Sequence, residues 1–168
     1  MSDLIINPDL IETSLDVKDK EEAISILSRR LLEHGLVDEG FTNHIIEREK
    51  NYPTGLPTSI PIALCHTEAQ YVNQSALALA TLKRPVTFQE MGSPEHELAV
   101  EVILILALKE PKDQVSMLRR IVTTFRNHET LATIRNANSS AALSDYLNQL
   151  LNTKEIANEG GLRGNTSS

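Results

Sequence analysis

Five histidines, one cysteine and an adjacent arginine–glutamate pair are where chemistry could begin in this chain. An imidazole titrates near neutrality, so each histidine could serve as nucleophile, base or metal ligand. Position separates them. His34 falls at the expected C-terminal end of a helix, where a cation is favourable. His44 lies within a helix with no ligand partner four residues on. His96 sits in a charged loop, and His128 at the start of a short helix. Each of these four reads as a surface or capping histidine. His66 differs, because it closes the run "SIPIALCH". There a buried strand becomes a loop, the place where a rigid scaffold presents reactive groups. Its ordinary reading is a half-buried histidine bonded to a backbone carbonyl.

Two neighbours bear on His66. Successive strand residues point to opposite faces, so Cys65 and His66 are not placed to chelate one ion, and Cys65 reads as a buried, inert thiol. Arg48 and Glu49 end the preceding helix, where a solvated charged face is the commonest role. If the Pro/Gly turn from Pro53 to Pro57 folds that helix end back toward the strand end, Arg48 faces His66.

The elements that would position these groups follow from periodicity. Lys18 to Glu33 reads as a helix, with Ile24, Leu27 and Leu31 in one stripe and Gly35 as its stop. A shorter helix covers about Glu39 to Lys50, with Phe41, Ile45 and Ile46 on one side. Ile60 to Cys65 reads as a short buried strand. Ser75 to Leu82 reads as another, whose alanine face suggests close helix packing. Val86 to Phe88 adds a short edge strand, and Gly92, Ser93 and Pro94 a turn. Leu98 to Leu108, apolar on both faces, reads as a central strand. Val115, Leu118, Val122 and Phe125 then mark an amphipathic helix. Leu131 and Ile134 mark a short helix, and Leu143, Tyr146, Leu147 and Leu150 a last one capped by Asn138 or Ser139. The chain beyond Asn152 is polar and expected to be disordered. The expected architecture is α/β: a single domain over residues 1–152 with a central mixed β-sheet flanked by helices, and a tail over 153–168.

Composition narrows the partners. The net charge is −7, and no dense run of Lys or Arg appears, which disfavours nucleic acid and anionic membrane surfaces. An acidic chain can still dock on a basic protein. A single cysteine suits a reducing compartment. The first residues show no signal-peptide pattern, and the longest apolar stretch is about half the ~20 residues of a membrane span. A cytoplasmic protein with no direct membrane insertion is expected. Phosphate-loop, dinucleotide, zinc-protease and serine-hydrolase signatures are missing, and no metal site or cofactor is expected.

The stretch "IIEREKNYPTGLPTSIPIALCHTEA" resembles the active-site region of the enzyme IIA components of the bacterial phosphotransferase sugar-uptake system, of the fructose/mannitol type. Within it the galactitol-specific branch is the most similar. "KEEAISILSRRLLEHGLV" looks like that family's first helix, and "AVEVILILALKEPKDQVSMLRRI" like its long strand and following helix. The likeness spans about residues 8–150. Cys65 stands where the family usually has Pro. Gln114 stands where mannitol-type members carry a second histidine, as in the galactitol branch.

The resemblance implies a phosphoryl relay. The histidine-containing phosphocarrier protein donates, His66 accepts, and a cysteine of enzyme IIB receives. Arg48 would neutralise the migrating group, since its planar fork suits phosphate. Thr54, Thr67 and Gln114 would supply further donors. Glu68 would orient the ring, with neither Glu49 nor Glu68 touching the phosphoryl group. Two other readings stand beside this one: a regulatory phosphohistidine module of the same fold, and a binding protein whose His66 is structural.

Overall fold

The computed structural model describes residues 4–152, so the tail read from the sequence over 153–168 lies outside the described residues. The chain forms β1 (Ile11–Leu15), α1 (Lys20–Glu33), α2 (Gly40–Asn51), β2 (Gly55–Leu56), β3 (Ile62–His66), β4 (Ala76–Glu90), β5 (Ser93–Ala107), α3 (Gln114–Thr124), α4 (His128–Asn136) and α5 (Ser140–Leu151). Short 3-10 turns at Pro8–Leu10, Ala69–Tyr71 and Pro111–Asp113 join them. The five strands make one mixed sheet in the order β1-β4-β2-β3-β5, in which β4 and β5 also pair directly. Among the described residues no helix is long and apolar enough to cross a membrane.

The period-two alternation of strands divides the interior into two cores, one per face of the sheet. Ala63 and Cys65 of β3 join Ala76, Ala78 and Ala80 of β4 under Ile24, Leu27 and Leu31 of α1 and Phe41 and Ile45 of α2. Ile62 and Leu64 join Leu77, Leu79, Leu104 and Leu106 under α3, α4 and α5. The alanine face of β4 therefore packs against the N-terminal helices, as the sequence pattern suggests. His66 shares the parity of Ile62 and Leu64 and so belongs to the C-terminal helix side.

Several boundaries differ from the sequence reading. β1 was not expected: its five residues show no strong pattern, and pairing with β4 (Ile11 beside Leu79) makes it a strand. β2 lies inside the Pro/Gly turn. A Cβ on Gly55 would stand 2.6 Å from the Gln89 carbonyl oxygen, so only glycine lets β2 reach β4. The expected strands at Ser75–Leu82 and Val86–Phe88 are one strand, with its register interrupted between Thr81 and Val86, where Pro85 has no N–H to give. The turn falls one residue early, with Gly92 at φ +80°, and β5 already begins at Ser93.

Helix ends follow their caps. The Asp19 carboxylate accepts from the Glu22 amide, so α1 starts two residues late. Gly35, at φ +70°, stops it as expected. Ser139 caps α5. The largest departure is in α3. Met117, Ile121 and Phe125 are buried, whereas Val115 is 65% exposed and Leu118 and Val122 are only partly covered. Of the four positions that mark this helix in the sequence, Phe125 is buried, Leu118 and Val122 pack against the margin of the core, and Val115 is exposed, so the buried face is centred on Met117 and Ile121.

Candidate functional site

β3 and β5 run parallel, so both end at the same edge of the sheet. In such sheets the loops beyond the C-terminal strand ends form the binding crevice. Here those loops bring His66, Thr67 and Glu68 next to Pro111 and to Gln114, the first residue of α3. The last turn of α2 adds Arg48 from the other layer.

Glu49 holds that turn in place. Its carboxylate is buried and accepts the Thr54 amide at 2.9 Å and the Thr54 hydroxyl at 2.8 Å. The Thr54 carbonyl in turn accepts the Leu64 amide at 3.2 Å. One side chain thus ties helix end, turn and strand together, and the fold-back that brings Arg48 to His66 follows. Burial pushes the Glu49 carboxyl above its ordinary value, and the two bonds from Thr54 oppose the shift. Burial also pushes the neighbouring Cys65 thiol far up, aided by the Glu49 charge.

The resulting cavity has a volume of about 350 Å³ and is lined by Arg48, His66, Thr67, Glu68, Gln114 and Pro111, among others. His66 Nδ1 lies 3.0 Å from the Leu64 carbonyl oxygen. A carbonyl only accepts, so Nδ1 carries the proton and Nε2 keeps its lone pair. Burial lowers the pKa of the ring, and the Arg48 charge lowers it further, against the Leu64 bond and Glu68. The ring is held neutral and nucleophilic.

Arg48 is the cation of the cavity. Its Nη1 stands 3.4 Å from Glu68 Oε2, and its guanidinium lies 5.2 Å above the Tyr52 ring. Its Nε is buried with no hydrogen-bond partner. Glu68 is shared more widely: Oε1 accepts from the Thr67 hydroxyl at 3.2 Å and is bonded to His44 Nε2. Burial would raise its carboxyl, but the bonds from His44 and Thr67 prevail and hold it below the ordinary value. The Gln114 side-chain amide donates to the Thr67 carbonyl at 3.2 Å and so pins the loop after His66.

A second concavity, of about 390 Å³, adjoins the same ring. Leu64, Met91, Leu118 and Val122 form its floor, and Arg119 and Arg126 stand at its rim. Met91 reaches it from the tip of the β4–β5 hairpin, which curls over so that the Met91 amide donates to the Gly55 carbonyl at 2.8 Å.

Of the residues singled out from the sequence, the structure gathers His66, Arg48, Thr67, Gln114 and Glu68 around one cavity and leaves Thr54 outside it. The Thr54 hydroxyl is buried and engaged by Glu49. The ring of His66 takes its orienting bond from Leu64, while Glu68 turns to His44, Thr67 and Arg48. His44, read as an ordinary surface histidine, stacks on Tyr71 with centroids 4.6 Å apart and belongs to the cluster. The signal was present: His44 and Arg48 are four residues apart and share a helix face. Among the described residues, no three His, Cys, Asp or Glu side chains converge to hold a metal ion.

The fold sets an imidazole and a guanidinium side by side in a cavity with room for a small anionic group. Residues 4–150 match the family described as "Phosphoenolpyruvate-dependent sugar phosphotransferase system, EIIA 2", and the chain belongs to that family. It is a phosphotransferase, a phosphocarrier component of such a system. The galactitol-specific EIIA component of Escherichia coli K12 is 24% identical over 125 residues, covering 74% of this chain and 83% of that protein. The transcriptional regulator ManR of Bacillus subtilis is 32% identical over 102 residues, which are 61% of this chain and 14% of that one. The complex of enzyme IIAMTL and phosphorylated enzyme IIBMTL from Escherichia coli contains a chain of the same fold. Its TM-score is 0.68 at 18% identity, covering 88% of this chain and 96% of that one.

Proposed function

We propose that His66 accepts a phosphoryl group from the histidine-containing phosphocarrier protein and passes it to a cysteine of an enzyme IIB component, in the uptake of galactitol or a related hexitol. The observation that carries this reading is the His66 ring itself. Its Nδ1–H is held by Leu64, its Nε2 lone pair is available, and it opens on a cavity that holds an arginine with an unpaired donor. Nε2 bonds to phosphorus as the donor's P–N bond breaks, and the electron pair leaves with the donor imidazole. In the second step the thiolate of enzyme IIB bonds to phosphorus and the pair returns to Nε2. Arg48 takes the charge spread over the phosphoryl oxygens, and Thr67 and Gln114 keep the loop in place.

The second concavity suits a protein partner. A convex apolar patch carrying carboxylates would cover Leu118, Val122 and Met91 and meet Arg119 and Arg126. The branch assignment rests on the galactitol-specific relative and on Gln114. A regulatory role has one observation in its favour, the likeness to ManR.

The test supplies purified chain with the phosphocarrier protein and its kinase, then with candidate IIB domains. One acid-labile, base-stable phosphate per chain is expected, absent from His66→Ala and chased to a IIB cysteine. Equal labelling of His66→Ala overturns the site. Labelling that no IIB domain removes favours the regulatory role.

A further inference from the structure

Glu68 is an unexpected occupant of a cavity meant for an anion. Its carboxylate is about half exposed and sits against Arg48, the guanidinium that lines the same cavity as His66. A carboxylate there repels the incoming group and competes for the same donors. Yet its contact with Arg48 is loose. At 3.4 Å it is well beyond the ~2.8 Å of a closed charge-assisted hydrogen bond. The carboxylate is instead held on its other oxygen, by His44 Nε2 and the Thr67 hydroxyl. His44 is fixed in turn by its stacking on Tyr71. Arg48 meanwhile keeps an Nε–H that is buried and unpartnered, a state that native structures rarely leave without a reason.

We propose that Glu68 is a stand-in for the phosphoryl group and His44 its restraint. Glu68 parks the Arg48 guanidinium in the unphosphorylated protein, and His44 draws the carboxylate back so that the arginine is released when a phosphoryl group arrives. Both are positioning residues acting through Arg48. This rests on the phosphocarrier reading of His66 and deepens it. A carrier must give its group away as readily as it takes it. An arginine with no counter-ion would hold the phosphoryl group too well, and one closed tightly on a carboxylate would not receive it. A carboxylate held at arm's length sets the arginine between those extremes. Phosphorylation then moves Arg48 from Glu68 to the phosphoryl oxygens, and the freed carboxylate stays with His44 and Thr67.

The arrangement makes a prediction of opposite signs, which a structural role for either residue would not. The probe is phosphoramidate, a small donor that needs no partner protein: Nε2 of His66 bonds to phosphorus, the P–N bond breaks, and ammonia leaves with the electron pair. The rate is followed by mass spectrometry of the tryptic peptide Asn51–Lys83, in which His66 is the sole histidine. Glu68→Gln removes the competing charge and is expected to speed phosphorylation about three- to sixfold, within the range of an exposed ion pair. His44→Phe keeps a ring on Tyr71 but removes the Nε2 bond, so Glu68 closes on Arg48 and the rate falls about threefold. The double variant is expected to match Glu68→Gln alone, because His44 acts only through Glu68. A Glu68→Gln rate equal to or below wild type, a His44→Phe shift of the same sign as Glu68→Gln, or additive behaviour of the pair overturns the inference. Wild-type chain that takes no phosphoryl group on His66 from phosphoramidate or from the phosphocarrier protein overturns the phosphocarrier reading itself, and is told apart from those results at once.

Discussion

Two concavities share the His66 ring, and they are built on opposite plans. The first carries the charged and hydrogen-bonding side chains, and three of them are tied down: Arg48 by the helix end that Glu49 anchors, Thr67 by Gln114, Glu68 by His44. The second is floored by Leu64, Met91, Leu118 and Val122, with two exposed arginines at its rim. The overall charge of −7 points toward a basic partner, yet the surface beside the His66 ring carries Arg119 and Arg126. The difference teaches a division of labour. Donors that stabilise a transferring group must be fixed before it arrives. A surface that meets partner proteins in turn needs apolar area and complementary charge.

The strongest way to break this division is on the polar side. Arg48→Ala is expected to slow phosphorylation of His66 by about 10²–10³-fold with phosphoramidate and with a protein donor alike, as for the loss of one fixed charge-stabilising donor. A loss seen only with the protein donor would move Arg48 to the recognition surface.

Next comes the anchor. Glu49→Ala leaves the Thr54 amide buried without an acceptor and the Thr54 hydroxyl with only the weak Cys65 sulfur at 3.8 Å, and opens a small cavity, at a cost of about 2–4 kcal/mol measured by urea unfolding. It should also slow phosphorylation, through a misplaced Arg48. Unchanged stability would mean that something else folds the turn back.

The groove gives a smaller and more selective effect. Leu118→Asp places a charge on the apolar floor and is expected to weaken transfer with a protein partner about tenfold, with a far smaller change for phosphoramidate. Equal effects on both would erase the distinction between the two concavities.

The smallest effect sharpens it through pH. Burial and Arg48 hold the His66 pKa below the ordinary 6.5. The neutral ring is thus the form that folding favours. Its contribution to stability is fully present above 6.5 and is lost as pH falls through the lower, folded value, where the ring protonates and Nε2 loses its lone pair. Phosphorylation should decline through the same window. In Arg48→Ala the midpoint, read by NMR of the ring protons, should move back toward 6.5, because one of the two lowering causes is gone. A midpoint that stays put would leave burial as the sole cause.

Much of this was legible in the residues alone. Periodicity located five helices and the strong strands, because apolar spacing records which face each element buries. The end of the run at His66 marked a strand end at the edge of the core, since a buried strand that stops at a polar group is leaving the core there, and the structure sets that ring against the cavity. The elements that escaped were those defined by their neighbours. β1 and β2 are too short to carry a pattern and exist because β4 pairs with them. The residues of β4 read as two strands, Ser75–Leu82 and Val86–Phe88, while pairing with β5 on either side of Pro85 carries one strand through. Val115, Leu118 and Val122 repeat at helical spacing like core residues, and spacing alone does not tell the centre of a buried face from its margin, where Leu118 and Val122 lie.

The site divides in the same way. The chain by itself determined which groups are available: one imidazole at a strand end, one arginine before a Pro/Gly turn, a threonine and a glutamate beyond. Only the tertiary structure decided their roles. It sent Thr54 to Glu49 and away from the cavity, gave the ring's orienting bond to Leu64, and brought His44 to Glu68 across 24 residues of chain. The physical reason is that side-chain type fixes what a group can donate or accept, whereas its actual partner depends on distances set by long-range packing, which local sequence does not record.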